Sequence, residues 1–300
     1  MPYATNGGVK IWYEETGEGT PIVFLHEFLG NHESWRDQMR HFGRGYRCVT
    51  IAARGFPPSD APEDESAYSQ DIFTADALAV IDHLKIGKAH LMGLSMGAYT
   101  ALQIALKRPK LVLSVVSASG ASGGNKATRE GFEVETRAVA KQLEKLSEMP
   151  AEGMASGPTR VHVKRKDHIA WQGNVDDLTK RSPQVAAMTL RQVQVGRAPV
   201  YSFEKELRAM TTPVLLLVGD EDESCLDVNL YLKRAMPTAQ LVVMPGCGHV
   251  LNLEEPALFN QLTERFITSV DRGVWYPRDP STMPGKGGAT AVGLGSSPKA

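Results

Sequence analysis

The chain has 300 residues, of which 42% are hydrophobic, and a formal net charge of -1. This composition is typical of a soluble protein with a sizeable core in one or two domains, and the charge offers no electrostatic attraction to nucleic acid or to an anionic membrane. No apolar run reaches the length of about 18 residues that a membrane-spanning helix needs, and the N-terminus lacks a secretory signal.

The three cysteines, Cys48, Cys225 and Cys247, are widely separated. Their number is odd and their spacing matches no metal-binding motif, so reduced thiols in the cytoplasm are the best interpretation. We therefore expect a cytoplasmic protein without a metal site.

The first half of the chain alternates short apolar runs with amphipathic stretches. The runs predict strands at residues 9–13, 22–25, 48–52, 89–92 and 111–116. The amphipathic stretches predict helices at residues 66–84 and 96–108. Strands and helices that alternate in this way form a mostly parallel sheet with helices on both faces.

The alternation stops near residue 120 and resumes near residue 213. In between, the sequence predicts helices at residues 129–149 and 182–195 and no strong strand. Afterwards strands begin at Pro213 and Gln240, and helices cover residues 226–235 and 256–270. The fold class is therefore α/β, with a core of residues 1–122 and 210–270 and a helical insertion at residues 123–209. Residues 271–300 are rich in proline, glycine and serine, which predicts a mobile tail.

The sequence GLSMG, residues 93–97, lies between a predicted strand and a predicted helix. In the G-x-S-x-G pattern the serine occupies a sharp, strained turn, and the glycines avoid collisions with neighbouring backbone. Ser95 is therefore the candidate nucleophile. The next amide, that of Met96, lies at a helix N-terminus, where it can stabilise an oxyanion.

A serine nucleophile needs a neighbouring base, and a carboxylate must orient that base. Acidic residues follow one predicted strand in the sequence GDEDE, residues 219–223, and a histidine follows the next strand in GCGH, residues 246–249. The chain thus carries a serine, an acid and a histidine in that order. This chemistry requires no metal and no organic cofactor.

These motifs together resemble the α/β-hydrolase superfamily, in its branch of lid-bearing serine hydrolases with haloperoxidase-like esterases, enol-lactonases and carbon–carbon bond hydrolases. The resemblance implies an α/β-hydrolase fold in which the insertion is a helical lid. The family's acid ends a G-x-x-D pattern, which implies Asp222, with Asp220 as the alternative. The sequence GHVLNLEEP, residues 248–256, matches the family's G-H-x-x-x-x-E-x-P and implies that His249 is the base.

The sequence HEFLG, residues 26–30, resembles the family's H-G-x pattern after a strand. The resemblance implies that the backbone N–H of Phe28 is the second oxyanion donor, beside that of Met96, and that His26 is structural. Glu27 stands where glycine is usual. Three roles are open for its carboxylate: a local contact away from the site, such as an ion pair with Arg54, a supporting role behind the oxyanion loop, or contact with substrate.

The resemblance implies a serine hydrolase that cleaves a small-molecule ester or lactone through an acyl-enzyme on Ser95. A carbon–carbon bond hydrolase acting on a ring-cleavage product is the alternative, and a ligand-binding receptor on the same fold is a third hypothesis. Trp171, Met188 and Arg191 are candidates for the substrate pocket. The basic sequence RVHVKRK, residues 160–166, is more typical of a solvated face than of an anion clamp.

Overall fold

An eight-stranded sheet lies at the centre of the computed structural model, which describes residues 2–282. Its strands are β1 Tyr3–Asn6, β2 Val9–Thr16, β3 Pro21–Leu25, β4 Arg47–Ile51, β5 Ala89–Leu94, β6 Val112–Ala118, β7 Val214–Gly219 and β8 Ala239–Met244. The spatial order is β1-β2-β4-β3-β5-β6-β7-β8. Strand β2 pairs antiparallel with β1 and β4, whereas β3 to β8 are parallel, so the prediction of a mostly parallel sheet is confirmed.

Helices flank the sheet and connect its strands. They are α1 Arg36–Phe42, α2 Gln70–His83, α3 Met96–Lys107, α4 Arg129–Leu143, α5 Ala151–Ala155, α6 Val161–Lys166, α7 His168–Thr179, α8 Pro183–Thr189, α9 Glu204–Ala209, α10 Glu223–Ala235, α11 Leu251–Glu254 and α12 Pro256–Asp271. Helix α8 continues as a π-helix over Leu190–Val195. Within residues 2–282, no helix combines the length and the hydropathy needed to cross a membrane.

Strand β3 shows why the sequences of the parallel strands are continuous runs of apolar residues. Val23 and Leu25 pack in one hydrophobic cluster, while Ile22 and Phe24 pack in another. Successive side chains of a strand point to opposite faces, so both faces of this strand are buried. Helices α2, α3 and α10 cover the first face, and α1 and α12 cover the second.

Several element boundaries differ from the sequence-based prediction. Helix α2 begins at Gln70 because the Ser69 hydroxyl caps it by accepting the N–H of Ile72. The predicted helix at 129–149 ends at Leu143. The sequence-based prediction does not include strand β1 or helices α1, α5, α6, α7, α9 and α11. Helices α5 and α6 have only five and six residues, too few for a helical repeat to be recognised in a sequence.

The chain between β6 and β7 contains helices α4 to α9, here called the helical segment (residues 129–209). Its buried side chains Ala140, Leu143 and Trp171 join the same hydrophobic cluster as Phe24 of the sheet. Beyond α12, the N–H of Arg278 donates to the carbonyl of Pro237 at 2.9 Å. The remainder of the predicted tail, residues 283–300, lies outside the described residues.

Helix α3 passes very close to the end of β3. A Cβ atom placed on Gly97 would overlap the carbonyl group of Leu25, and one placed on Gly93 would overlap the carbonyl of Gly97. Both contacts are with backbone, which cannot rotate away. The two glycines of GLSMG are therefore required by packing, as the motif predicts.

We expect Gly97→Ala to lower the free energy of unfolding by about 1–3 kcal/mol, the range typical of overpacked sites. Gly131 is the matched control, because it is exposed in α4 and a Cβ there meets no atom within 4 Å. Gly131→Ala should raise the free energy of unfolding by up to about 1 kcal/mol, since alanine favours the helix. Urea denaturation of both variants tests this, and equal stabilities would contradict it.

Candidate active site

Ser95 occupies the turn between β5 and α3. Its backbone has φ 52° and ψ −107°, a strained conformation for a residue with a side chain. Its N–H still donates to the carbonyl of Ala118 at 2.8 Å, so the turn stays joined to the sheet. The strand, turn and helix hold the serine in the conformation that the G-x-S-x-G pattern predicts.

Asp222 and His249 meet beside this turn. Asp222 follows β7, and its Oδ2 lies 2.9 Å from Nδ1 of His249, which follows β8. The other carboxylate oxygen of Asp222 accepts a hydrogen bond from the Ser224 hydroxyl at 2.8 Å. Asp220, the alternative acid, is exposed and accepts the N–H of Cys247 at 3.1 Å instead. The structure therefore pairs Asp222, and not Asp220, with the histidine.

The backbone on both sides of His249 is held by the carboxylate of Glu254. Glu254 accepts the N–H of Gly248 at 2.7 Å and the N–H of Val250 at 3.1 Å. These two amides flank His249, so the glutamate fixes the backbone on both sides of the imidazole. The glutamate of the GHVLNLEEP sequence thus has a positioning role that the sequence alone does not reveal.

The pair of His249 and Asp222 is electrostatically coupled. Burial opposes protonation of the imidazole, but the charge of Asp222 and its hydrogen bond outweigh burial and raise the pKa of His249 well above its ordinary value. Burial likewise opposes ionisation of Asp222, yet the charge and hydrogen bond of His249 lower the pKa of the carboxyl. Both shifts favour the ion pair.

Ser95 and His249 line one pocket of about 230 Å³. The other lining residues are Glu27, Phe28, Leu29, Ser122, Phe132, Thr136, Thr159, Arg160, Leu190, Gln194 and Ser224. Within residues 2–282 no hydrogen bond joins the Ser95 hydroxyl to His249. Hydrogen bonds of this kind are often long in the absence of substrate, so the shared pocket is the informative observation.

The two amides predicted as oxyanion donors both lie beside Ser95. Phe28 follows the end of β3 and lines the pocket, and Met96 is the first residue of α3. In the part of the chain that the structure describes, neither N–H donates a hydrogen bond to a protein acceptor. Both amides therefore remain available to a ligand.

His26 joins the loop that follows β3 (residues 26–30, the predicted oxyanion loop) to the residues that follow β4. Its Nε2 accepts the N–H of Ala53 at 2.9 Å, so Nδ1 carries the proton and donates it to the carbonyl of Glu27 at 2.7 Å. Burial lowers the pKa of His26 to about 4, which keeps the imidazole neutral. The geometry agrees with the structural role that the sequence suggests.

Glu27 makes a contact that differs from the local one suggested by the sequence. Its Oε1 accepts a hydrogen bond from Nη2 of Arg160 at 2.5 Å, and both side chains are only 2% exposed. Arg54 instead forms a buried ion pair with Asp76. The expectation of a solvated basic face is therefore wrong for Arg160, which turns inward because a buried carboxylate lies opposite it.

The three residues predicted for the substrate pocket lie elsewhere. Trp171 packs in the core, where its indole N–H donates to Ser156 at 3.2 Å. Met188 packs in a hydrophobic cluster with Phe56. Arg191 pairs with Glu65 and Glu144, and none of the three lines the pocket. The structure does not place these three side chains in the pocket, because tertiary packing decides which face of a helix contacts the pocket.

Among residues 2–282, Asp222, Cys225 and His249 form a group that could hold a metal, because one ligand atom from each lies within 4.8 Å of the others. The Cys225 sulfur is 3.9 Å from Nδ1 of His249. Burial raises the pKa of this thiol, so it remains protonated. The imidazole proton already joins the carboxylate, and a metal would have to displace it.

A second serine–histidine–aspartate contact lies at the other end of β5. The Ser114 hydroxyl is 2.7 Å from Nδ1 of His90, whose Nε2 is 3.0 Å from Asp271. Ser114 and His90 are completely buried, so no substrate can reach this serine. Residue types alone therefore do not distinguish the two arrangements, whereas exposure to a pocket does.

Comparison with known proteins places the chain in a family. Residues 20–256 match the family model described as the alpha/beta hydrolase fold. The chain is 29% identical over 274 residues to a 2-hydroxy-6-oxo-6-phenylhexa-2,4-dienoate hydrolase of Burkholderia cepacia, covering 87% of this chain and 92% of that protein. The chain therefore belongs to the α/β-hydrolase family and is a hydrolase.

Two solved structures show the same fold. The first, described as Est816, an N-acyl homoserine lactone degrading enzyme, has a TM-score of 0.69 and 26% identity, covering 88% of this chain and all of that one (100%). The second, a thermophilic esterase from Thermogutta terrifontis, has a TM-score of 0.78 and 22% identity, covering 90% and 97%. The latter likeness concerns the fold alone.

Proposed function

We propose that this protein is a serine hydrolase that cleaves a small carboxylic ester or lactone through an acyl-enzyme on Ser95. The observation that supports this most is the His249–Asp222 pair, joined at 2.9 Å, in the same pocket as a strained serine at a strand-to-helix turn. A base oriented by a carboxylate is what a serine hydroxyl needs in order to act as a nucleophile.

In the first half of the reaction, the Ser95 oxygen attacks the substrate carbonyl and Nε2 of His249 takes the hydroxyl proton. Nδ1 cannot take this proton, because it already carries one that it donates to Asp222. The N–H groups of Phe28 and Met96 stabilise the oxyanion that forms. One such donor typically contributes roughly 3 kcal/mol to transition-state stabilisation.

In the second half, His249 returns the proton to the leaving oxygen as the carbon–oxygen bond breaks. The acyl group is then bonded to Ser95. Water attacks this ester while His249 takes its proton. The bond between the acyl carbon and the Ser95 oxygen then breaks as His249 returns the proton to the serine, and the carboxylic acid leaves. A lactone follows the same steps, except that its leaving alcohol stays attached to the acyl chain.

The pocket favours a small substrate. Its volume of about 230 Å³ lies below the roughly 300–1,000 Å³ of ordinary ligand pockets. The core, as residues 1–122 and 210–270, supplies the reacting groups, and residues 123–209 act as a lid. Support for the lid comes from Phe132, Thr136, Arg160, Leu190 and Gln194, which line the pocket from the helical segment.

A small-molecule substrate and water suffice for this mechanism, which uses no cofactor. Of the described cysteines, Cys48, Cys225 and Cys247 are buried and unpaired. Free thiols support the cytoplasmic location expected from the sequence.

Carbon–carbon bond hydrolysis is the second candidate, because the Burkholderia cepacia relative is named as a hydrolase of 2-hydroxy-6-oxo-6-phenylhexa-2,4-dienoate. The polar residues Arg160 and Gln194 in the pocket are compatible with such a substrate. Loss of the dienoate absorbance, compared with ester hydrolysis at equal enzyme concentration, separates the two candidates. Faster turnover of the dienoate than of any ester or lactone would replace the first proposal with the second.

Ser95→Ala should lower kcat/KM for p-nitrophenyl acetate and butyrate by about 10⁴-fold or more, since the acyl-enzyme cannot form. Release of p-nitrophenol measures this. Ser114→Ala is the control, because it removes the serine of the second, buried serine–histidine–aspartate contact. Equal activity of wild type and Ser95→Ala would exclude an acyl-enzyme on Ser95.

Asp222→Asn should lower kcat for the same esters by about 10⁴-fold, because the amide stabilises the wrong imidazole tautomer. Asp220→Asn should retain most activity, as Asp220 is exposed and only accepts the N–H of Cys247. Steady-state kinetics of both variants tests the assignment. A larger loss in Asp220→Asn would reverse the two roles.

The value of kcat/KM should rise with pH through an apparent pKa above about 6.5, the ordinary value for histidine. His249 must be neutral to accept the proton, and Asp222 raises the pKa of its imidazole despite burial. The protonated form therefore persists to higher pH and activity is favoured on the alkaline side. Stopped assays from pH 5 to 9 measure the profile, with circular dichroism as the control for folding. An apparent pKa at or below about 6.5 would contradict the coupling.

A further inference from the structure

The loop of residues 26–30 contains a buried carboxylate next to the predicted oxyanion donor. Glu27 immediately precedes Phe28, and its Oε1 accepts from Arg160 at 2.5 Å. The Ser34 hydroxyl lies 3.4 Å from the same oxygen. An ionised carboxylate here would oppose the negative charge that develops in an oxyanion hole, unless a cation neutralises it.

The surroundings of Glu27 are shaped to hold its side chain. A Cβ placed on Gly30 would overlap the Glu27 carboxylate and the Ser34 hydroxyl. Glu27 itself has no positive φ, so its backbone tolerates a side chain. The carboxylate thus fits a space formed by Gly30, Ser34 and Arg160, which explains how the loop accommodates glutamate in place of glycine.

The next two residues of the loop are also bound by the helical segment. Nη1 of Arg181 donates to the carbonyl of Phe28 at 2.5 Å, and the Asn174 amide donates to the carbonyl of Leu29 at 2.8 Å. The Arg181 guanidinium also lies over the ring of Phe28, 5.0 Å from its centroid. Three consecutive residues of the oxyanion loop therefore receive hydrogen bonds from residues 160–181.

The charges of this cluster leave a net positive balance. Arg160 offsets the charge of Glu27, whereas Arg181 is only 5% exposed and contacts a carbonyl and two aromatic rings. Burial lowers the pKa of Arg181 to about 9, and the charge of Glu27 opposes that shift, so the guanidinium stays charged near neutral pH. A buried positive charge close to the oxyanion donor favours the oxyanion.

The cluster is not arranged for stability alone. Buried atoms that lack a hydrogen-bond partner among the described residues include Oε2 of Glu27, Nη1 of Arg160, and Nε and Nη2 of Arg181. Unsatisfied buried polar groups cost stability, and buried ion pairs are often replaced by apolar residues without loss. An arrangement that costs stability beside a reactive serine indicates a functional role.

We propose that Glu27, Arg160 and Arg181 are positioning residues that hold the Phe28 amide in place and keep its surroundings net positive. The oxyanion hole is then complete only while residues 160–181 of the helical segment lie against the loop. The kinetic part of this inference rests on the proposed serine hydrolase function. The structural part does not, and it is tested separately.

The kinetic test uses Arg160→Met, which leaves the Glu27 carboxylate unpaired. We expect kcat for p-nitrophenyl butyrate to fall about 10- to 100-fold at pH 8, within the range for loss of one oxyanion donor, with KM changed little. The double variant Glu27→Gln with Arg160→Met removes the charge and should return kcat to within about threefold of wild type.

Arg181→Met should lower kcat about tenfold or more, because it removes the hydrogen bond to Phe28 and the positive charge. Arg181→Lys keeps the charge and should therefore lose less activity than Arg181→Met. The control is Arg191→Met, since Arg191 pairs with Glu65 and Glu144 away from the pocket. A loss in Arg191→Met equal to that in the other two variants would show general damage to the helical segment and overturn the proposal. A loss in Arg160→Met that does not recover in the double variant would also overturn the proposal.

The structural test is amide hydrogen exchange of the peptide that spans residues 26–30. Arg160→Met and Arg181→Met should accelerate exchange at Phe28 and Leu29, and Arg191→Met should not. Unchanged exchange in folded variants would overturn the proposal. If wild type hydrolyses no ester, the proposed function fails, but the exchange rates still decide whether these arginines hold the loop.

Discussion

The site depends on one close backbone contact, that of α3 against the end of β3. The absence of a side chain at Gly97 lets the helix approach the Leu25 carbonyl. This approach brings the start of α3, with Ser95 and the Met96 amide, beside the loop that carries the Phe28 amide. The proposed nucleophile and both predicted oxyanion donors thus derive their relative positions from a contact between two backbones.

The parallel arrangement of the sheet supplies the remaining groups. Strands β3, β5, β7 and β8 all run in the same direction, so the residues that follow them lie at one edge. Asp222 follows β7 and His249 follows β8, and their hydrogen bond crosses between the two loops. Ser95 precedes both residues by more than a hundred positions and lies beside them for the same reason. The carboxyl ends of parallel strands are also where α/β proteins generally bind ligands.

The helical segment lines the pocket and also binds the loop of residues 26–30. Arg160, Asn174 and Arg181 each bond to a different residue of the oxyanion loop. Glu27 is the residue through which the first of these contacts is made. Glutamate in place of the usual glycine at residue 27 is therefore explained by its ion pair with Arg160, which lies 133 residues away in the chain. Both charges are buried, so the loss of either partner would leave the other as an uncompensated buried charge, which costs stability.

The sequence by itself determined the α/β class and the strand, turn and helix around Ser95, because local periodicity and a short motif encode them. The resemblance to the α/β-hydrolase family implied the candidates Asp222 and His249. The sequence-based prediction missed β1 and helices α1, α5, α6, α7, α9 and α11, all of which except the 12-residue α7 are short. Only the tertiary structure decided that Glu27 pairs with Arg160 rather than Arg54, and that Trp171, Met188 and Arg191 lie outside the pocket. The physical reason is that a side chain's partner is set by packing between distant elements, which no local pattern in the sequence records.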